Sequence, residues 1–557
     1  MKIPALLTTM FFSALTAQTQ QVFRCVDIFP NNGNASPSGY VVYQDKMFMS
    51  ARKSGYNLEL YTSNGTAAGT NMLKDLNTGV SEFSVPKEFT LCDNKLFFMA
   101  FTDATGTELW TTDGTATGTQ LVKDIGPGAT GCGTDLIAAF EGSQTFTVYN
   151  KKIFFMADDG VHGGELWVSD GTGAGTMMVK DINPGADPSY PLDMKVYNGK
   201  LFFMATTAGN GTELWTSDGT AAGTRMLKDI NPGTESSSPV SFALYKGKLC
   251  FSADDGINGN ELWVTDGTVA GTQMLKDINP GPSNSGPCHF FEYKDKLYFS
   301  SGNDTKGIEL WVTDGTTAGT QLFKDINPGN DYSLPGNFVI YKDKLYFSAR
   351  EPMAGTELWV TDGTVANTHM VKDLNPGSVP SNPGRFQVYK EKLYFIFTKS
   401  IFDERLAVSD GTEAGTKMIA PPGASLEDPL QSSNFLIYHD TLYFRGFFDN
   451  AFGEELWALT DTSSAAPTGI VQPVQDNTYS LYPNPGNGNF RLQMAKPVAA
   501  AATLQVYDMS GRKVHTQAIA KGTKELSIQL SHLPQGVYTT RLQTADGVAT
   551  AARLVIR

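Results

Sequence analysis

The chain has 557 residues, 41% hydrophobic and 18% charged, with 56 glycines and a formal net charge of −14. That length carries a large core and a second domain. An acidic chain with no clustered basic patch cannot neutralise a phosphate backbone, which sets nucleic-acid binding aside, and after residue 20 no stretch is apolar and long enough to be a transmembrane segment.

The chain begins Met1-Lys2, followed by an apolar run from Ile3 to Leu15 and then Thr16-Ala17-Gln18. This reads as a signal peptide over residues 1–17, cut after Ala17. Residues 22–28 follow with the pattern of a strand that has no unit of its own. From there one phrase recurs: Glu-Leu-Trp-x-x-Asp-Gly-Thr, then x-x-Gly-Thr, then Lys-Asp-Ile-Asn-Pro-Gly. Every tryptophan sits in it: Trp110, Trp167, Trp215, Trp263, Trp311, Trp359 and Trp457. Between Trp167 and Trp359 the spacing is 48 residues each time, and Tyr61 and Ala407 hold the same place in two weaker copies. A fixed period of that size marks an array of modules.

Each module reads as four short strands rich in aromatic and β-branched residues, separated by Gly, Asn and Asp turns. In the fifth, the expected strands are 242–245, 249–253, 261–265 and 273–278. The expected fold is all-β: a closed β-propeller of about nine four-stranded blades over residues 18–460. The last unit, residues 435–458, has three strands, and the strand at 22–28 fits the vacancy. Pairing the two ends would close the ring and remove its exposed edges. Unit eight, with Ala407 for tryptophan, no Lys-Asp and a short fourth strand, leaves a count of eight blades open.

After Thr460 the repeat stops. Residues 461–476 have the small, polar composition of a linker, and residues 477–557 alternate like a small β-sandwich. This tail contains Tyr482-Pro483-Asn484-Pro485, then Val506-Tyr507-Asp508-Met509-Ser510-Gly511-Arg512, then Leu533-Pro534-Gln535-Gly536-Val537-Tyr538. These motifs, in this order, closely resemble the type A C-terminal sorting domain of the type IX secretion system of Bacteroidetes. The repeated phrase resembles the ELWxxDGT repeat of exported bacterial proteins, a repeat that implies a tandem array and no established activity. The expected fold of the tail is a small immunoglobulin-like sandwich; its resemblance implies passage through the periplasm, recognition by an outer-membrane translocon, removal by its sorting peptidase, and a secreted or cell-surface destination. Pro483, Asn484, Pro485, Gly511, Arg512, Gly536 and Tyr538 match the sorting motif, and turn or core roles account for them equally well.

Residues copied into every unit point to the scaffold: the tryptophan as an inter-blade wedge, the glutamate before it and the Lys-Asp pair as inter-blade ties. Function is expected where copies differ, in the loops between second and third strands and between blades, which open on one face of a propeller. Three groups of candidates follow. Arg52 and Arg350 hold the same position after the second strand in units one and seven, and with Arg445 of unit nine they would bind a carboxylate or sulfate if gathered in one sector. His162, Tyr190 and Tyr332 lie in variable loops. Asp158-Asp159 and Asp254-Asp255 sit in oxygen-rich loops suited to calcium, or to ordinary turns. The insertion from Ala129 to Gln144 belongs to the same face.

The six histidines show no metalloprotease spacing, and no nucleophile elbow or phosphate loop is present. Five cysteines form no CxxC pair and read as small buried hydrophobes. The favoured function is a non-catalytic propeller that binds an extracellular glycan or protein. A glycan-cleaving propeller enzyme and a structural or adhesion component are the alternatives.

Overall fold

The computed structural model describes residues 21–556 except 31–32, 54, 56, 134–144, 401–402, 423–433, 449–451, 462–478, 483–488, 495–497, 499–500, 508–512, 532, 534–535 and 545–546. The leader and most of the 129–144 insertion therefore lie outside the described residues. The chain divides into two compact units, residues 1–464 and 465–557.

Period-2 alternation between tight turns makes each repeat an antiparallel meander. In unit five the strands are Val240–Tyr245, Lys248–Asp254, Asn260–Thr265 and Gln273–Lys276, paired in chain order. The first hairpin turns on Lys246 and Gly247, at φ of 44° and 72°. Such a turn matches the right-handed twist of its flanking strands. Nine four-stranded sheets of this kind make up the first unit. None of them closes on itself; each is an open blade.

The count is nine, and the eight-blade alternative falls. Unit eight forms a full sheet from Gly384–Tyr389, Lys392–Ser400, Asp403–Ser409 and Lys417–Met418. Its missing tryptophan and two-residue fourth strand thin the blade without abolishing it. The ninth sheet takes Leu436–Tyr438, Thr441–Gly446 and Glu455–Asp461 from the end of the array and Gln21–Val26 from its start. Gln21 stands opposite Asp461 and Val26 opposite Leu456.

A tyrosine at the end of the first strand ties blade to blade. Tyr197 donates its hydroxyl hydrogen to Gly247 O of the next blade, Tyr245 to Asp295 O, and Tyr293 to Asp343 O, at 2.5–2.6 Å. Tyr43, Tyr149, Tyr341 and Tyr389 make the same bond. Tyr438 of blade nine donates to Asp45 O of blade one, at 2.7 Å, which carries the pattern back to its start. In blade two Cys92 stands in the tyrosine's place, at the end of Lys87–Cys92.

All seven tryptophans are buried, 5–7% exposed. Trp263 packs with Phe242 and Phe251 of its own blade and with Leu214, Leu227 and Ile230 of the blade before. The wedge reading thus holds over a carbohydrate platform. No disulfide joins the five cysteines, all of them described. Among the described residues no helix is long and apolar enough to cross a membrane.

The second unit has two antiparallel sheets. One contains Tyr479–Tyr482, Asn489–Met494 and Glu525–Gln529; the other contains Ala502–Tyr507, Lys513–Ile519, Gly536–Thr544 and Gly547–Ile556. Phe490, Leu492 and Ile528 of the first share one core with Leu504, Val506, Tyr538 and Leu554 of the second.

Candidate functional site: the loop face and the axial ring

The recurring polar residues are spent on the scaffold. The glutamate ahead of each tryptophan is wholly buried. Glu309 accepts from Ile326 N at 2.6 Å, Asn327 N at 3.3 Å and Ser333 Oγ at 2.7 Å. Ser333 O in turn accepts from Arg350 N on the second strand of the next blade, at 2.8 Å. Burial pushes the Glu309 carboxyl up to about 7, outweighing the hydrogen bonds that favour its charged form. Glu59, Glu108, Glu261 and Glu357 are also raised by burial to about 7, and Glu455 to about 8. Glu455 reaches across the ring's junction, accepting from Ile28 N at 2.7 Å and Phe29 N at 3.1 Å. In blade eight Arg405 replaces the glutamate, buried against Asp403 at 2.5 Å.

The Asp-Gly-Thr segment is a self-contained turn. Asp266 Oδ1 accepts from Thr268 N at 2.9 Å and Thr268 Oγ1 at 2.7 Å. Lys180 and Lys228 donate to Thr224 O and Thr272 O of the following blades, at 2.8 and 2.6 Å, and stand over Trp215 and Trp263. Repetition of charge here means repetition of a joint.

The loop between blades and the next blade's second-to-third-strand loop do share a face: Asn183 Oδ1 accepts from Ala208 N, and Asn279 Oδ1 from Asp304 N. On that face Arg52 and Arg445 meet. Arg445 Nη2 lies 2.5 Å from Glu454 Oε2, which also accepts from Ser36 Oγ, and Arg52 Nη2 donates to Ser36 Oγ at 3.2 Å. Arg350 stays apart, exposed on Lys344–Glu351 of blade seven. Arg445 is thus engaged by a carboxylate of its own chain, and the trio does not gather.

The aspartate loops serve turns. Asp158 Oδ1 accepts from Gly160 N, while Asp159 accepts from Val161 N and His162 N and pairs with His162 Nδ1 at 2.8 Å. The Asp159 hydrogen bond raises the His162 pKa. Asp254 caps Gly256 N, and Asp255 holds Ile257 N, Asn258 N and Asn258 Nδ2. Among the described residues no three His, Cys, Asp or Glu side chains converge on a metal position. Calcium takes six to eight oxygens, and these paired carboxylates, already committed to N–H donors, do not fit it. Tyr190 is half-buried beside Met156 and Leu192, and Tyr332 is exposed. Pro483, Asn484, Pro485, Gly511 and Arg512 lie outside the described residues. Gly536 begins the strand Gly536–Thr544, and Tyr538 is in the tail's core.

One set of residues escaped the sequence reading. The first strands of successive blades lie side by side around the axis, so they wall the central channel. In seven blades the second residue of this strand takes a left-handed conformation; it is Gly39 in blade one and, at φ of 52–62°, Glu88, Asp193, Ser241, His289, Asn337 and Arg385 in six others. A register shift accompanies each one, as expected where a bulge re-aims a side chain. Three of these side chains lean over the next blade: His289 against Gly336, Asn337 against Gly384, Asp193 accepting from Ser241 N. The copies differ in chemistry here, from carboxylate to guanidinium, whereas the following residue is aromatic in eight units (Tyr40, Phe89, Phe146, Phe242, Phe290, Phe338, Phe386 and Phe435). Aligning the units on that aromatic would have exposed the variable column.

Two recesses stand out. One of 740 Å³ opens in blade one beside Tyr61, the tryptophan substitute, with Glu59, Asp75 and Lys53 in its wall. The other, of 680 Å³, lies against the first strands of blades nine, one, two and three, where the ring position is Gly39.

Comparisons bear mainly on the tail. Residues 480–557 match the family model described as a secretion system C-terminal sorting domain. No curated protein matches the chain. Among solved structures, a puromycin hydrolase is similar at 14% identity and a TM-score of 0.33, covering 68% of this chain and 61% of its own. A structure from a study of two prolyl endopeptidases gives 11% identity and a TM-score of 0.37, covering 83% and 55%. The β-propeller domain of the Trilobed protease from Pyrococcus furiosus gives 11% and 0.31, covering 59% and 96%. The chain therefore spans 61% of the hydrolase and 55% of the endopeptidase. It is a repeat-built β-propeller that ends in a type IX sorting tail, and it is exported to the cell surface or secreted.

Proposed function

We propose that this exported propeller is a non-catalytic binding module that recognises an extracellular glycan or protein through its loop face and channel mouth. One observation carries the reading. In most repeats the glutamate and the lysine hold blades together and the Asp-Gly-Thr aspartate holds its own turn, whereas the polar side chains that vary from blade to blade collect around the axis. Variable groups on a rigid frame are the usual form of a recognition surface. On the same reading the array is of the ELWxxDGT kind and its source one of the Bacteroidetes. The tail is an immunoglobulin-like sandwich met by the outer-membrane translocon and cut by its sorting peptidase.

The test is the melting temperature of the full chain against a panel of polysaccharides and extracellular proteins, with calcium and with chelator. A ligand of the native state raises it by mass action, through a stabilisation of about 2.7 kcal/mol at a hundredfold excess over Kd. A ligand-specific rise without turnover is the expected result. Cleavage of a bound glycan would replace this reading with the enzymatic one, and no shift anywhere would leave a scaffold role.

A further inference from the structure

We infer that the 680 Å³ recess in the channel wall is a site for a cationic side chain, lysine or arginine, presented by an extended basic segment of a protein partner. This deepens the binding reading above and rests on it. The recess exists because the ring position of blade one is Gly39: at φ of 67° it adds no side chain, and a Cβ there would meet the Phe89 ring at 3.0 Å. What the neighbouring blades supply is one charge and several aromatic rings. Glu88 is the only ionisable acid or base in the wall; it is exposed, and its carboxylate has no hydrogen-bond or ion-pair partner among the described residues. Around it stand Tyr40, Phe89 and Phe435, all half-buried, with Asn434 adding a polar end.

A carboxylate beside aromatic faces suits an ammonium or guanidinium head, because the ring quadrupole and the anion attract it together. The exposed Leu91 and Val148 of the same wall accommodate the methylene stem of such a side chain. The volume falls within the range of small-ligand sites, enough for a side chain and its flanking backbone. The rest of the ring sets the direction of approach. Arg385 occupies blade eight, and the ring carboxylates Glu88 and Asp193 stand in blades two and four, so a cation entering the channel is drawn away from blade eight. A formal charge of −14 favours encounter with basic partners.

The experiment uses the full chain and a short oligolysine peptide, titrated calorimetrically at low and at physiological salt. Three comparisons accompany it: the Nε-acetylated peptide, the variant Glu88→Gln, and the variant Asp331→Asn, which removes an equal charge from an exposed loop. Glu88 is exposed, so its replacement leaves the fold intact. The expected result is binding that acetylation abolishes, that Glu88→Gln weakens at least about tenfold, and that Asp331→Asn leaves unchanged. Equal weakening by both variants means attraction to net charge and overturns the site. Absence of oligolysine binding at low salt also overturns it. If a polysaccharide then shifts the melting temperature, the cation site is wrong and the exported-binder reading stands.

Discussion

Replacing Glu309 by alanine and by glutamine separates what its carboxyl does from what its charge does. Its hydrogen bonds converge on one oxygen: Oε2 accepts from Ile326 N at 2.6 Å and from Ser333 Oγ at 2.7 Å. Glu309→Ala leaves both donors without an acceptor in a dry interior. Each buried orphan costs about 1–3 kcal/mol, so alanine should destabilise by about 2–6 kcal/mol before any cavity is counted. Glu309→Gln keeps an oxygen where Oε2 stood and turns its NH2 toward the weaker contact with Asn327. Because burial brings this carboxyl up to about 7, so that about half of it is already neutral at pH 7, glutamine should cost no more than about 1.5 kcal/mol, the worth of one neutral hydrogen bond. Urea unfolding of the full chain, followed by tryptophan fluorescence, measures both. An alanine variant within about 0.5 kcal/mol of the native protein, the range of an ordinary surface change, would refute the tie. A glutamine variant as damaged as alanine would show that the ionised form does the holding.

Other expectations can be tested alongside. Glu59, Glu108, Glu261, Glu309, Glu357 and Glu455 have folded pKa values of about 7–8, above the unfolded value of about 4.3, so their contribution is complete below that unfolded value and is lost as pH rises through 7–8. Asp113, Asp218, Asp266 and Asp314 are lowered by their threonine hydrogen bonds and act oppositely, losing their contribution as pH falls below the usual carboxylate range. The propeller's melting temperature should therefore peak in mild acid and fall towards pH 8.5, a trend that calorimetry at matched ionic strength will read. Gly271→Ala puts a Cβ 2.0 Å from Asp266 Oδ1 and should cost about 1–3 kcal/mol; pairing it with Asp266→Ala should recover most of that loss in a double-mutant cycle. Removing residues 21–28 strips the ninth blade of its fourth strand and Glu455 of two donors, and should lower the melting temperature of the whole first unit. Deleting residues 480–557 should hold the protein inside the outer membrane, as fractionation would show.

Much of this architecture was legible in the sequence because a period of 48 residues repeats the same physical decisions. The turn glycines, the alternating strands and the unmatched strand at 22–28 together specified blades and their junction. Trp263 read as core because identical use in every copy argues against a single ligand. Position misled at the arginines: Arg52 and Arg350 occupy the same slot in blades one and seven, and a slot fixes radius and height without fixing sector, whereas Arg445 stands two residues earlier on its own strand. Composition misled at the aspartates as well, since Asp158 and Asp255 bring oxygens that their own turns consume. The axial ring was invisible for a different reason. Left-handed residues are usually announced by glycine, yet here Glu88, His289 and Arg385 adopt that conformation, and in the sequence they look like any polar residue of an alternating strand.

The strand that carries the tail is not an edge. Glu455–Asp461 is flanked by Thr441–Gly446 on one side and by Gln21–Val26 on the other. Were the protein tethered by its C-terminal extension and loaded at any blade, tension would enter the ring through Asp461 and meet two ladders of backbone hydrogen bonds at once. The N-terminal strand thus acts as a bolt across the very strand that would take the pull, and the load would be shared between it and the hairpin on the other side.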